Sequence, residues 1–302
     1  MAIANTRESL QTNPVVFIEQ EIKRYVAKSP HNCLPGFGEP IWDEPLVGFA
    51  DGDDPIFQEY KTVIGDFHFT PREAMTSHLK AAGCGKEQDL GKISVISWVL
   101  PSTQATRISL RGETWVPSLR WNYTRWQGQD FNFKLARHLV SLLEDAGYEA
   151  VAPELARFYE GKTLPNGPAS NWSQRHVAYA AGLGTFSLND ALITPKGIAV
   201  RLGSVVTNLI LPPSPRPYTD RVANCLFYHD KSCRRCIERC PVGAITEQGH
   251  DKIKCREFLF GRQIEILREL GRDKGYVGSY LGCGLCQTKV PCESRNPVKT
   301  EE

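Results

Sequence analysis

The chain has 302 residues, of which 41% are hydrophobic, and a formal net charge of +2 at pH 7. This length and apolar content are sufficient for two domains with buried cores. The near-neutral charge gives no indication of a nucleic-acid or acidic-membrane partner. No apolar run of about 18 residues is present, and the N-terminus has neither an apolar h-region nor a twin-arginine leader, so a soluble, cytoplasmic protein without membrane contact is expected.

The N-terminal part of the chain predicts two helices separated by a loop. The first begins at Pro14 and ends before Ser29, and the Pro/Gly/Asp-rich segment 34–55 is interpreted as loop. The second begins at Thr70-Pro71-Arg72-Glu73, a capping box with proline at the first helical position. It is predicted to end at Gly83, because glycine adopts the left-handed conformation of a helix C-terminus without steric cost.

The middle of the chain alternates between strand and helix patterns. A β-branched, half-alternating run predicts a strand at 92–100, whereas 104–127 has no clean periodicity. From Asp130, apolar residues at helical spacing predict a helix that ends at Gly147. A short strand is predicted at 148–152.

The segments before the cysteine-rich region predict one more helix and one more strand. The helix begins at the N-cap residue Ser173 and ends at Gly182. The β-rich stretch 198–211 follows, with Gly203 as a candidate bulge. The proline-rich segment 212–217 is interpreted as a stiff linker, which makes it the predicted domain boundary.

Eight of the ten cysteines fall in one segment near the C-terminus. Disulfides are rare in a reducing cytoplasm, so metal or cluster ligation is expected, and four thiolates complete the protein ligation of one cubane iron–sulfur cluster. We therefore predict two [4Fe–4S] clusters. The eight candidate ligands are Cys225, Cys233, Cys236, Cys240, Cys255, Cys283, Cys286 and Cys292. Cys33 and Cys84 are interpreted as ordinary buried or loop thiols.

The cysteine spacing is typical of bacterial ferredoxins. Cys233, Cys236 and Cys240-Pro241 form the run C-x2-C-x3-C-P, and Cys283 and Cys286 begin a second block. In two-cluster ferredoxins the last cysteine of this run ligates the other cluster. Two zinc sites of four thiolates each are the alternative, but zinc ribbons do not usually contain this interlocked pattern.

One position departs from the ferredoxin run. A cysteine is expected three residues before Cys233, where the chain has Asp230. Cys225 could complete the site through a longer loop, Asp230 could ligate by oxygen, or the site could hold a three-iron cluster. We favour Cys225, because it brings the number of ligands to eight.

Two further motifs precede these cysteines. They are R-x5-A-G-L-G from Arg175 to Gly184 and the segment 199–208, which contains Leu-Gly-Ser-Val-Val, and the cysteine run follows them. In this order they resemble the epoxyqueuosine reductase and reductive dehalogenase group of cobalamin-dependent iron–sulfur reductases. The resemblance covers roughly residues 90 to 295.

The resemblance implies an α+β fold with two functional domains. After a lead-in at 1–55, a nitroreductase-like α/β domain at 56–211 would hold a base-off corrinoid and the substrate. A ferredoxin-like domain at 212–302 would hold the two clusters. The family pattern assigns Cys233, Cys236 and Cys292 to one cluster with Cys225 as the imperfect match, and it assigns Cys240, Cys255, Cys283 and Cys286 to the other.

The implied function is an iron–sulfur oxidoreductase in which electrons pass through the clusters to cobalamin, which reduces a small organic substrate. An external electron donor such as a ferredoxin or flavodoxin is expected, and no nucleic-acid partner is expected. The segment after Cys292 is short, so no C-terminal extension for tRNA is expected.

Two departures bear on this function. The nearest match to the corrinoid-binding motif D-x-H-x-x-G is at Asp66 and His68, and it lacks the glycine. An incomplete motif is compatible with a cobalamin that has no histidine ligand, and also with the absence of cobalamin. Pro168 stands seven residues before Arg175, where epoxyqueuosine reductases carry a catalytic aspartate. We therefore expect a paralogue with another substrate, and the alternative is a corrinoid-free electron-transfer protein that serves a partner enzyme.

The candidate catalytic residues are Tyr123, Arg175 and His176. Arg175 could hold a corrinoid amide or an anionic substrate, or bind loop carbonyls. His176 could deliver a proton, or be a core histidine with satisfied hydrogen bonds. Tyr123 could be an acid, or a packing aromatic.

The candidate cofactor-binding residues are Arg175, Gly182, Gly184, Arg201 and Gly203. Buried on a strand, Arg201 would need an anionic partner, which could be the substrate. Gly182 and Gly184 are interpreted as positions of close backbone approach, either to the corrinoid or to a neighbouring strand.

Overall fold

The computed structural model describes residues 2–83 and 90–298. The mixed helix and strand content expected from the sequence is confirmed. The helices are α1 (Ala2–Thr12), α2 (Pro14–Lys28), α3 (Ile56–Val63), α4 (Pro71–Ala82), α5 (Gln104–Arg111), α6 (Leu119–Asp145), α7 (Gln174–Ala180), α8 (Leu226–Asp230), α9 (Arg235–Glu238), α10 (Lys252–Glu257) and α11 (Gln263–Glu269). The strands are β1 (Leu46–Asp51), β2 (Ser94–Pro101), β3 (Ala150–Val151), β4 (Gly161–Leu164), β5 (Gly167–Ser170), β6 (Thr185–Phe186), β7 (Leu192–Ile193), β8 (Val200–Thr207), β9 (Ile245–Thr246) and β10 (Gly249–His250). Short 3-10 helices lie at Pro153–Leu155 and Leu285–Gln287, and a π-helical turn at Phe258–Arg262 joins α10 to α11.

An antiparallel sheet with the strand order β1-β2-β8-β3 forms the centre of the first two-thirds of the chain. All residues of β2 are buried, because helices cover both faces of the sheet. Ile96, Trp98 and Leu100 pack in the core that includes α2 and α6. Val95 and Val99 pack on the opposite face, in the core that includes α3, α4 and α7.

The N-terminal segment belongs to this packed body. Helix α2 begins at the predicted Pro14, and α4 has the predicted capping box and a left-handed C-cap at Gly83. The loop predicted at 34–55 was wrong in part, since β1 pairs with β2 there. Gly48 weakened the strand signal, yet a Cβ at this position would lie 2.5 Å from the carbonyl oxygen of Ala181, so close packing requires the glycine.

Helix α6 begins eleven residues before the predicted Asp130, at Leu119, after the N-cap residue Ser118. Its first half has no apolar stripe because it binds the cysteine segment through polar groups. The Asn122 side chain donates to the carbonyls of Val277 and Leu281 at 3.0 and 3.1 Å. Hydrogen bonds of this kind replace the apolar periodicity that sequence patterns detect.

The bulge predicted at Gly203 was wrong. The register of β2 and β8 is continuous through the pair Trp98 and Gly203. A Cβ at Gly203 would lie 2.4 Å from the Trp98 ring, so the glycine makes room for the indole. The Trp98 Nε1–H donates to Asn132 Oδ1 at 2.7 Å, which explains the fixed position of this ring.

The cysteine segment packs against α5 and α6. Arg239 donates to backbone carbonyls of Leu110 and Glu113 on one side and of Leu285 and Thr288 on the other. These charge-assisted hydrogen bonds fix the cysteine segment to the sheet domain. Within the described ranges, no helix is both long and apolar enough to cross a membrane.

Candidate functional site

A cavity of about 540 Å³ lies where the sheet domain meets the cysteine segment. The sheet domain contributes Trp121, Arg125 and Gln129 from α6 and Arg201 from β8, and the start of α7 contributes Arg175. This volume is in the range of small-molecule and cofactor sites, about 300–1,000 Å³. The cavity is therefore the candidate functional site.

The eight clustered cysteines lie around two cavities, four around each. Cys240, Cys255, Cys283 and Cys286 line the large cavity, and Cys225, Cys233, Cys236 and Cys292 line a smaller one. Asn189 and Ile198 line both cavities, so the two sets of cysteines are neighbours. The two groups are those that the family resemblance implies, and ligation itself stays a prediction.

The surroundings of these thiols suit a metal-bound sulfur. The Ala244 N–H donates to Cys240 Sγ at 3.2 Å, and the backbone N–H of Leu285 is hydrogen-bonded to Cys283. Burial raises the pKa of Cys236 to about 12 and that of Cys283 to about 11. Binding of a metal centre must therefore release protons from these thiols. The positive charge of the metal has to offset the free-energy cost of burying the thiolates.

Among the described residues, no three His, Cys, Asp or Glu side chains are grouped so that they could hold a single metal ion. Four thiols line each of the two cavities. The donor set of four thiols at each cavity fits a [4Fe–4S] cluster.

Asp230 is not placed as a ligand. Its carboxylate is exposed and accepts a hydrogen bond from the Ser232 N–H at 2.9 Å. Cys225 is 8% exposed and lies with the other three thiols of its set. The geometry thus favours Cys225 over Asp230 as the fourth donor.

Arg175 and Arg201 both line the large cavity. The Arg175 guanidinium donates to the carbonyl oxygen of Asp190, and its exposed surface faces the cavity. Burial and the neighbouring Arg125 lower the pKa of Arg201 to about 9. Arg201 forms no ion pair with any of the described residues.

The other two catalytic candidates do not line the cavity. Tyr123 packs against the first core, with its ring 6.3 Å from that of Phe37 in an edge-on arrangement. His176 shares a hydrogen bond of 2.8 Å between its Nδ1 and Ser173 Oγ, and its ring lies 4.8 Å from those of Tyr60 and Phe186. Both positions match the packing interpretations of these residues.

His176 and His68 should make the protein acid-sensitive. Burial lowers the pKa of His176 to about 3 and that of His68 to about 4. The unfolded chain binds these protons near pH 6.5, so the free energy of unfolding should fall as the pH drops below 6.5 towards 4, by up to about 1.4 kcal/mol per pH unit for each imidazole. In His176→Gln, denaturant titrations between pH 4 and 7 should show a reduced slope, whereas His31→Gln, at an exposed site, should not change it. An unchanged slope in His176→Gln would contradict a neutral buried imidazole.

The glycine candidates contact protein backbone or side chains. A Cβ at Gly182 would lie 2.3 Å from the Pro215 carbonyl oxygen, and one at Gly184 would lie 2.3 Å from that of Ile193 in β7. Gly203 faces Trp98 rather than the cavity. The close approaches at Gly182 and Gly184 are thus to the proline linker and to a neighbouring strand.

Sequence reasoning missed a polar network at the cavity. Trp172 Nε1 donates to Ser204 Oγ at 3.0 Å, Ser204 Oγ donates to Gln174 Oε1 at 2.7 Å, and Gln174 Nε2 donates to Glu154 Oε2 at 3.0 Å. This network orients the Glu154 carboxyl group at the cavity wall. Glu154 lies in the short 3-10 helix that follows β3 and belongs to no motif, so no sequence signal marked it.

His250 was also missed. Its Nδ1 lies 3.2 Å from Asp190 Oδ2, and its side chain is hydrogen-bonded to Cys255. Although burial opposes the charged form, these two contacts raise the pKa of His250 to about 9. The imidazolium therefore places a positive charge beside the second set of thiols.

Comparison with known proteins gives two informative relatives. The epoxyqueuosine reductase of Bacillus anthracis is 34% identical over 167 residues, covering 54% of this chain and 39% of that protein. The epoxyqueuosine reductase of Synechocystis is 31% identical over 180 residues, covering 58% of this chain and 55% of that protein. This chain is a homologue of epoxyqueuosine reductases. The resemblance predicted from the motifs is confirmed, and the matched segments span about two-fifths to just over half of these relatives.

No family model matches the chain. Among solved structures, an epoxyqueuosine reductase with an epoxyqueuosine-modified tRNA-Tyr stem loop is 18% identical, with a TM-score of 0.45 over 92% of this chain and 66% of that one. A reductive dehalogenase is 17% identical, with a TM-score of 0.39 over 55% of this chain and 23% of that one. Because these scores are low, the relationship is based on the sequence relatives.

Proposed function

We propose that this epoxyqueuosine reductase homologue is a cytoplasmic iron–sulfur reductase that passes electrons through two [4Fe–4S] clusters to a corrinoid in the large cavity. The observation that carries this proposal is the division of eight cysteines into two adjacent sets of four, one of which lines that cavity. An electron entering at the Cys225 set would reach the Cys240 set next, and a molecule in the cavity last. In this proposal the sheet domain is nitroreductase-like and the cysteine segment is ferredoxin-like.

The cavity lining is suited to a large, flat cofactor with many hydrogen-bond acceptors. Trp121 and Tyr280 supply aromatic surface, and Arg125, Gln129 and Arg175 supply donors for amide carbonyls. A bound corrinoid would supply a strongly reducing cobalt centre. The side chains of this protein would hold the cofactor, exclude water and orient the substrate, and Gln174 would hold the Glu154 side chain in place at the cavity wall.

We propose a small organic molecule as the substrate and a ferredoxin or flavodoxin as the electron donor. Modified tRNA is the second candidate, since a solved epoxyqueuosine reductase carries a modified tRNA stem loop. Pro168, at the position of the family's catalytic aspartate, is exposed on β5 and does not line the cavity. This departure argues for a substrate other than that of the relatives.

The same proline supports one alternative function. A chain that has lost the acid of the family could be a corrinoid-free electron-transfer protein that delivers electrons to a partner enzyme. The two functions share the clusters and differ in the occupant of the large cavity.

Anaerobic reconstitution distinguishes these functions. With iron and sulfide, the protein should gain broad visible absorbance that bleaches on reduction, and about eight iron atoms per chain. Incubation with cobalamin followed by gel filtration should then leave about one cobalt per chain. Clusters without retained cobalt would favour the electron-transfer alternative, and absence of bleachable absorbance would contradict both functions.

A further inference from the structure

Three buried hydrogen-bond donors without a partner belong to residues that line the large cavity. They are Trp42 Nε1, Gln129 Nε2 and Arg201 Nε. Buried polar groups in folded proteins are nearly always hydrogen-bonded, so each such group calls for an explanation. Here all three are N–H groups, and the missing partner must therefore be an acceptor.

Arg201 forms no ion pair with any of the described residues. Glu154, an acidic side chain at the cavity wall, is hydrogen-bonded to Gln174 instead. Arg125 donates to the Tyr280 hydroxyl and stacks over its ring, with the guanidinium 5.1 Å from the ring centroid. Both arginines line the cavity, and among the described residues neither is paired with a carboxylate.

The elements that carry these donors are rigid. Arg201 lies on β8, where its backbone pairs with Leu100 of β2. Arg125 and Gln129 lie one helical turn apart on α6, so their side chains project from the same face. The Trp42 ring packs against Gly128, where a Cβ would lie 2.3 Å from the ring. The donors are therefore held in place before any ligand binds.

The strongest acceptors for such donors are oxyanions. A guanidinium in a buried site is stabilised by a carboxylate or phosphate, to which it donates short, charge-assisted hydrogen bonds. Burial and the adjacent Arg125 already disfavour the charge of Arg201, as its lowered pKa indicates. An anionic ligand group would reverse this penalty and would satisfy the Nε donor.

We propose that Arg201, with Gln129 and Trp42, forms a recognition site for an oxyanion, a carboxylate or a phosphate, of the molecule that occupies the large cavity. This inference deepens the proposed function, because it names the chemical class of the ligand at that site. The oxyanion belongs either to a small anionic substrate or to the phosphodiester of a bound cobalamin.

The first test is calorimetric titration of the anaerobically reconstituted full chain with inorganic phosphate and with succinate. Arg201→Gln should bind the preferred anion about 10- to 100-fold more weakly, because hydrogen bonds to charged groups are worth about that much. Arg201→Lys should retain most of the affinity. Arg137→Gln is the matched control, since Arg137 is exposed on the same helix as Arg125.

A second pair of titrations identifies the source of the oxyanion. Cobalamin carries the phosphodiester and cobinamide does not. Weaker binding of cobalamin but not of cobinamide to Arg201→Gln would assign the site to the cofactor. Weaker binding of phosphate or succinate, with cobalamin and cobinamide unaffected, would assign it to the substrate.

Two outcomes would overturn the proposal. In the first, the wild-type protein binds none of phosphate, succinate and cobalamin. In the second, Arg201→Gln binds all three as tightly as the wild type does. Should Arg201→Gln fail to fold, Gln129→Leu replaces it, with an expected loss of about 3- to 10-fold at an unchanged melting temperature. Iron content is measured in every variant, so that failure of the clusters is separated from failure of the anion site.

Discussion

Replacement of Cys225 by alanine is expected to lower the iron content of the reconstituted protein from about eight to about four atoms per chain. Cys225 is buried, and it lines the small cavity together with Cys233, Cys236 and Cys292. Loss of one of four thiolates opens a cubane cluster to solvent, and such a cluster is not retained through purification. Iron analysis after anaerobic gel filtration, together with the low-temperature electron paramagnetic resonance spectrum, measures the change.

The matched control is Asp230→Ala. Asp230 occupies the ferredoxin-like position, but its carboxylate is exposed and bonded to the Ser232 N–H, so the iron content should not change. The reverse pattern, with iron retained in Cys225→Ala and lost in Asp230→Ala, would show that oxygen ligation completes the first site. Retention of about three irons at that site in the wild type would support a three-iron cluster instead.

Glu293→Gln is expected to lower the free energy of unfolding by about 2–4 kcal/mol. The Glu293 carboxylate is 4% exposed, accepts the Lys289 N–H at 2.6 Å and the Arg111 Nε–H at 3.0 Å, and lies 3.7 Å from Arg107 Nε. The neutral amide would leave the largely buried Arg107 with Asp43, at 3.8 Å, as its remaining carboxylate partner. The lower part of this range allows for solvent screening at Arg111, which is about half exposed.

Thermal unfolding monitored by circular dichroism measures this effect, with Glu265→Gln as the control. Glu265 pairs with Arg262 at 3.1 Å, but both side chains are more than half exposed, so its loss should leave the melting temperature nearly unchanged. Because Glu293 follows Cys292 and binds α5, its replacement should also speed the loss of the first cluster. Equal melting temperatures for the two variants would contradict a buried ionic contact between the cysteine segment and the sheet domain.

Several elements were predictable because their signals are local. The capping box at Thr70, the left-handed Gly83 and the β-branched strand β2 follow from the conformational preferences of neighbouring residues. Helix α6 was predicted only from Asp130 onward, since its first half is held by hydrogen bonds from Asn122 and Trp126 to the cysteine segment. Polar contacts between distant segments leave no periodicity in the sequence.

The candidate site likewise contains some residues that the sequence predicted and others that it did not. Arg201 and Arg175 were predictable from their unusual positions, whereas Glu154, Gln129 and His250 lie in no motif and reach the cavity only through folding. His176 immediately follows Arg175 in the sequence, yet the two side chains point to different surroundings on α7, because successive helical residues are rotated by about 100°. Adjacency in sequence therefore did not predict a shared site.

By itself, the sequence determined that this protein carries two sets of four cysteines and is related to epoxyqueuosine reductases. Cysteine number, spacing and the proline after Cys240 are properties of short segments, which need no knowledge of packing. Only the tertiary structure decided that Cys225 rather than Asp230 lies with its set, and that one set lines the large cavity. It also decided that Arg201 lines that cavity and forms no ion pair among the described residues, because the burial and pairing of a charge depend on residues far apart in the chain.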